Sequence, residues 1–164
     1  MISVHRKYVQ GMLEGKKTIE LRRRAVHVAR GTRVWIYSKS PSAVVEALAI
    51  VDRVISAKPE ELWSEYKDQL GISKTDFESY FLDVRVGCAL VLRDIRRLPC
   101  SVSLSEIRDC ASSFQPPQFF LRLRSGHPAL KVLRDINFPA GRGLHSELGN
   151  AAPCPLRLDG PTST

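Results

Sequence analysis

Lys16, Lys17, Glu20 and Arg22 stand in the stretch EGKKTIELRRR, residues 14–24, where lysines and arginines crowd around two carboxylates. A guanidinium offers a planar fork that fits a phosphate or a base edge, and a lysine offers a compact charge. A carboxylate among cations serves as an acceptor for base N–H or ribose hydroxyl groups, or as an orienter of Lys17. A Lys17–Glu20 pair can also act as base and orienter where burial lowers the lysine pKa. The competing reading is a solvated strand face, on which Glu20 and Arg22 form a surface pair contributing under ~1 kcal/mol.

The charge balance bears on that choice. The chain has 164 residues and a formal net charge of +8. Residues 1–39 hold ten Lys/Arg and two Asp/Glu, a balance of +8, and residues 40–164 hold fifteen of each. A localised block of one sign points to an anionic partner, and Arg23, Arg24, Arg30 and Arg33 extend it. Other side chains join the candidates. Tyr37, Ser38 and Ser40 close a strand beside the basic block, where hydroxyls contact phosphate and an aromatic ring, Trp35 or Tyr37, stacks a base. A serine turn before Pro41 and core packing of Trp35 are the structural alternatives. Gln118, in the rigid run QPPQFF, can read a base edge, and Phe119 or Phe120 can pack or stack, with structural closure of the fold the favoured reading. His5 is the histidine nearest the block.

These residues need elements to hold them. MISVH alternates as a short strand, and residues 5–15 carry Tyr8, Val9, Met12 and Leu13 at helical spacing, capped by Gly15. KTIELR alternates, with Ile19 and Leu21 on one side and Thr18, Glu20 and Arg22 on the other. TRVWIYS is a strand with Val34 and Ile36 inward, and residues 40–56 form a long, mostly buried strand. Helices follow over KPEELWSEYKDQL and, capped by Ser73, over SKTDFESYF. GCALVLRDIRRLP returns to strand, and SLSEIRDC starts a short helix at Ser103 or Ser105. The order describes a compact mixed domain around a small sheet or barrel. From residue 139 onward, 26 residues contain four Pro and four Gly with little periodicity, which reads as a disordered tail.

The stretch Gly15–Arg22 resembles the G-x-K-x-x-E-x-R signature of the ASCH (activating signal cointegrator homology) domain family, within the PUA-like superfamily. IYSKSPSAVV (36–45) and FQPPQFF (114–120) also resemble bacterial ASCH proteins, and the resemblance runs over about residues 1–134. It implies an α+β fold, a small PUA-like β-barrel with helices covering its ends, for residues 1–134, followed by a tail over 135–164. It also implies a cleft bordered by the signature and a partner that is nucleic acid. Some small members are amidohydrolases acting on an acetylated cytidine nucleoside, and nuclease activity has been attributed to others. In the amidohydrolases a lysine matches Lys17, a hydroxyl residue stands where this chain has Glu20, and a glutamate lies in the later helix. Glu65 and Asp68 are the acids in that helical segment, and neither is placed at the required position. The departure at Glu20 speaks against importing that mechanism.

The expected function is binding of RNA or a nucleotide in a basic cleft formed by Lys16, Lys17, Glu20, Arg22, Arg24, Tyr37, Ser38, Ser40 and Gln118. The alternative is a hydrolase of a modified nucleoside, or a ribonuclease, with Lys17 and Glu20 catalytic. A protein partner reached through residues 59–81 is a third reading, although the stripe of Leu62, Tyr66 and Leu70 suits packing. No cofactor or metal is expected: Cys88, Cys100, Cys110 and Cys154 form no C-x-x-C pair, and no histidine stands at ligand spacing. With no apolar run of ~18 residues and no signal peptide, the reading is a cytoplasmic protein.

Overall fold

The computed structural model describes residues 1–137; of the tail expected over 135–164, residues 135–137 are helical and 138–164 lie outside the described residues. The strands are β1 (Ile2–Val4), β2 (Ile19–Arg22), β3 (Arg33–Ser38), β4 (Val44–Ala57) and β5 (Gly87–Ser103). The helices are α1 (Arg6–Leu13), α2 (Pro59–Leu70), α3 (Lys74–Tyr80), α4 (Leu104–Cys110) and α5 (Pro128–Asn137). The strands form one sheet in the order β1-β3-β4-β5-β2, with β1 parallel to β3 and the other pairs antiparallel.

Straight, the 17 residues of β5 would span ~56 Å, longer than a small domain, so the β4–β5 ribbon must bend. Register shifts at three places along β4 permit this, since a bulge re-aims the strand and increases its twist. The curled sheet separates three apolar clusters. Its inner face carries Ile36, Ala49, Cys88 and Leu90 against Val9 and Met12 of α1. Trp35, Tyr37 and Val102 lie on the other face beneath Ile107 of α4 and Leu133 of α5. At the far end, Ile19, Leu21 and Ala89 pack against Leu62 and Leu70 of α2 and Phe77 of α3.

The fold is α+β, as expected, but the barrel is not closed. β1 and β2 are the two edges of an open sheet, with no ladder joining them among the described residues. The edges are short, three and four residues, and side chains occupy their outward backbone groups. Lys17 donates to the Ile19 carbonyl, the Tyr80 hydroxyl to the Leu21 carbonyl, and Arg22 to the Ser3 carbonyl across the gap at 3.3 Å. The seam of the curled sheet is therefore closed by side chains.

Most element expectations hold, including the Ser73 and Ser103 caps, which accept from the Asp76 and Glu106 amides. Sequence reasoning assigned no element to α5. Its signal was present in Pro128 at the first turn and in Ala129, Leu130 and Leu133 at helical spacing. The helix continues to Asn137, whose side chain accepts from the Cys100 amide and donates to the Leu133 carbonyl.

Candidate functional site

β2 places the central residues. Its pairing sets Glu20 opposite Leu90 and Arg22 opposite Cys88, so both share the inner face of the sheet. Ile19 and Leu21 point the other way, into the cluster under α2 and α3. The alternation was read correctly, but neither face is solvated: Lys17, Glu20 and Arg22 are only 3%, 8% and 6% exposed. The reading of Glu20 and Arg22 as an ordinary surface pair does not describe this geometry.

The three charges form a row. A Glu20 carboxylate oxygen lies 3.6 Å from the Lys17 Nζ, and the other lies 3.2 Å from an Arg22 Nη. The Lys17 ammonium also donates to the Ile19 carbonyl at 2.6 Å and the Leu70 carbonyl at 2.7 Å. Leu70 is the last residue of α2, so Lys17 satisfies a terminal helix carbonyl and meets the negative end of the helix dipole. Its Nζ also lies 5.2 Å from the centre of the Tyr8 ring. Burial lowers the Lys17 pKa from its ordinary 10.5; the Glu20 charge opposes that and Arg22 adds to it. An ammonium has three N–H donors and no acceptor, and three oxygens surround this one. The arrangement makes Lys17 a fixed cation that positions Glu20.

Gly71 makes room for that lysine. It ends α2 with φ of +59°, and a Cβ there would stand 2.9 Å from the Lys17 Cβ. Gly71→Ala is expected to cost ~1–2 kcal/mol for the left-handed backbone alone, and more for displacing Lys17. Urea titration followed by circular dichroism checks this.

A cavity of about 810 Å³ lies against the seam. The buried Lys17, Glu20 and Arg22 form its floor, and Ser3, Tyr8 and Tyr80 of α3 also line it. Burial raises the Tyr80 pKa, which keeps its hydroxyl a donor to Leu21. The rim carries His5, Lys7, Arg23 and Lys39, with Asp76 as its acid, 3.8 Å from the Lys7 ammonium. Gln118 and Phe119 close the remaining side. Two buried polar atoms in this wall, the Ser3 Oγ and the Arg22 Nε, have no hydrogen-bond partner among the described residues.

The structure thus brings together Lys17, Glu20, Arg22 and Gln118 of the expected set. It does not bring in the others. Lys16 is exposed and pairs with Glu14 at 2.7 Å. Arg24 lies outside the cavity, with its guanidinium 5.3 Å from the centre of the Phe119 ring. Tyr37 is buried under α4 and α5, because β3 is an interior strand covered on both faces. Ser38 is fully buried and lines no part of the cavity, and Ser40 is exposed beside the cis bond to Pro41. Among the outer cations, Arg30 pairs with Asp52 on the surface, so part of the basic block is ordinary solvated charge. The α2 stripe proposed for a protein partner is largely committed to the core through Leu62 and Leu70. Sequence reasoning missed Ser3, Tyr8 and Tyr80, which reach the site from three separate elements and share no local spacing with the signature.

Among the described residues no cluster of His, Cys, Asp or Glu has the grouping to hold a metal ion, and no helix is long and apolar enough to cross a membrane.

Residues 2–112 match a family described as a domain of unknown function, DUF365. A Zymomonas mobilis protein named an ASCH domain-containing ribonuclease is 30% identical over 124 residues, 76% of this chain and 83% of that protein. The crystal structure of ASCH from Zymomonas mobilis matches with a TM-score of 0.76 at 28% identity, covering 82% of this chain and 92% of that one. A serine-to-alanine mutant of that protein matches with a TM-score of 0.74 at 29% identity, covering 80% and 92%. The open α+β sheet and the extent of these matches lead to one assignment: the chain belongs to the ASCH domain family.

Proposed function

We propose that this chain binds RNA by seating an unpaired nucleotide in the seam cavity. The observation that carries the reading is the buried Lys17–Glu20–Arg22 row, which presents a fixed carboxylate at the floor of a cavity whose rim is mainly cationic. Cations at a rim hold phosphates without regard to sequence, whereas a buried, oriented acceptor discriminates between groups that can and cannot donate to it. Glu20 serves as that acceptor, for a base N–H or the ribose 2′-hydroxyl. Lys39 and Arg23, which line the cavity, would supply the phosphate contacts. A single-stranded nucleotide fits this geometry because its base edges and 2′-hydroxyl are accessible, while a duplex hides them.

Titration of a fluorescent single-stranded RNA over a range of salt concentrations tests the reading. Lys39→Ala and Arg23→Ala are each expected to lower the log–log salt slope by about 0.7, the loss of one phosphate contact. Binding that is absent at low salt sinks the proposal.

A second reading, cleavage of the bound RNA, is favoured by the ribonuclease name of the Zymomonas mobilis relative. Glu20 would take the proton of a ribose 2′-hydroxyl as that oxygen bonds to the adjacent phosphorus. The bond from phosphorus to the 5′-oxygen would then break, the leaving oxygen taking a proton from solvent at the open mouth. Arg22 would balance the charge developing on the phosphoryl oxygens. A 2′-deoxy substitution at the cleaved position is expected to stop this reaction and leave binding measurable.

A further inference from the structure

Closure of the fold was the favoured reading of Phe119, yet the residue is 44% exposed and lines the cavity. The loop that carries it is held at both ends. Phe114 is buried before it, and after it Leu121 exchanges hydrogen bonds with Met1, the Leu121 amide donating at 2.9 Å and the Met1 amino group at 2.8 Å. Phe120 bridges to Ile2, and Pro116 and Pro117 restrict the segment between. An aromatic ring is thus presented to solvent by a segment with little freedom to fold it away. The Arg24 guanidinium lies over the ring, 5.3 Å from its centre.

We propose that Phe119 and Arg24 form a second nucleotide subsite, a stacking platform for the base next to the one in the cavity. The inference rests on the RNA reading above and names its substrate class: a strand of at least two nucleotides, rather than a free nucleoside or mononucleotide. A ring face accepts any base, because every base has a π surface. The guanidinium over the ring supplies a positive partner for the linking phosphate. The ring borders the cavity, so a strand leaving it passes the platform without turning back. Gln118, the preceding residue, also lines the cavity.

The test compares a mononucleotide and a three-nucleotide single-stranded RNA, titrated by calorimetry against wild type, Phe119→Ala, Phe119→Trp and Phe120→Ala. Phe119→Ala is expected to weaken the trinucleotide roughly tenfold or more, from the usual contribution of one stacked base, and to leave the mononucleotide unchanged. Phe119→Trp is expected to retain or tighten trinucleotide binding. Phe120→Ala should match wild type, since Phe120 does not line the cavity. Trinucleotide binding that survives Phe119→Ala overturns the platform while leaving the RNA reading intact. An equal loss for both ligands also overturns it, by placing Phe119 in the first subsite. If wild type binds neither ligand at low salt, the RNA reading fails and the platform falls with it.

Discussion

Lys17→Ala is expected to lower the unfolding free energy by about 3–5 kcal/mol, the usual consequence of removing one partner from a buried charge pair. The loss has three parts. Glu20 keeps only Arg22 as a counter-charge, the Leu70 carbonyl at the end of α2 loses its donor, and the Ile19 carbonyl on the sheet edge loses another. Lys17→Met, which keeps most of the volume, separates the electrostatic share from the packing share. The pH dependence gives an independent check. The folded-state pKa of Lys17 lies below the ordinary 10.5, so between those two values the unfolded chain binds more protons. Stability contributed by this group therefore rises with pH in that window, and the desolvation penalty is constant below it. Urea midpoints of wild type relative to Lys17→Met should increase as pH approaches 10.5. A flat difference would show that the ammonium is not desolvated in the folded chain.

Glu20→Gln is the functional counterpart. If the cavity cleaves RNA, this change is expected to slow the reaction about 10²- to 10⁴-fold, the range associated with a positioned acid or base. The amide is nearly isosteric and retains an oxygen, but it lacks the charge that Lys17 and Arg22 surround and cannot take the hydroxyl proton. Binding should weaken far less, because the rim cations are untouched. Single-turnover cleavage of an end-labelled RNA, beside anisotropy on the same RNA, separates the two. Equal cleavage by the variant and wild type would remove Glu20 from the chemistry.

The central row was legible because it is local. Lys17, Glu20 and Arg22 are spaced by three and two residues, and strand alternation alone puts the last two on one face. What could not be read was which face became interior, since that depends on the curl of β4 and β5 far along the chain. The same limit explains Tyr37 and Ser38. Their types suit a binding site, but β3 has a strand on each side and helices over it, and a single strand does not reveal its place in the sheet order. The closed barrel failed for a related reason. Closure requires β1 to pair with β2, and short edges whose carbonyls already hold side-chain donors have little left to pair. Whether Phe119 packs or faces solvent was not legible in QPPQFF, because its exposure is set by how Leu121 and Phe114 tether the loop.

The side-chain seam also protects the chain from its own copies. An exposed sheet edge with vacant carbonyls is a template for intermolecular strand addition, and natural sheets blunt such edges with charge or cover. Here Lys17 and Tyr80 occupy the β2 carbonyls and Arg22 spans to β1, so the groups that furnish the cavity also act as gatekeepers against self-association. Changes that remove these side chains would then leave a stickier protein. Loss of solubility in such variants would report the loss of these hydrogen bonds.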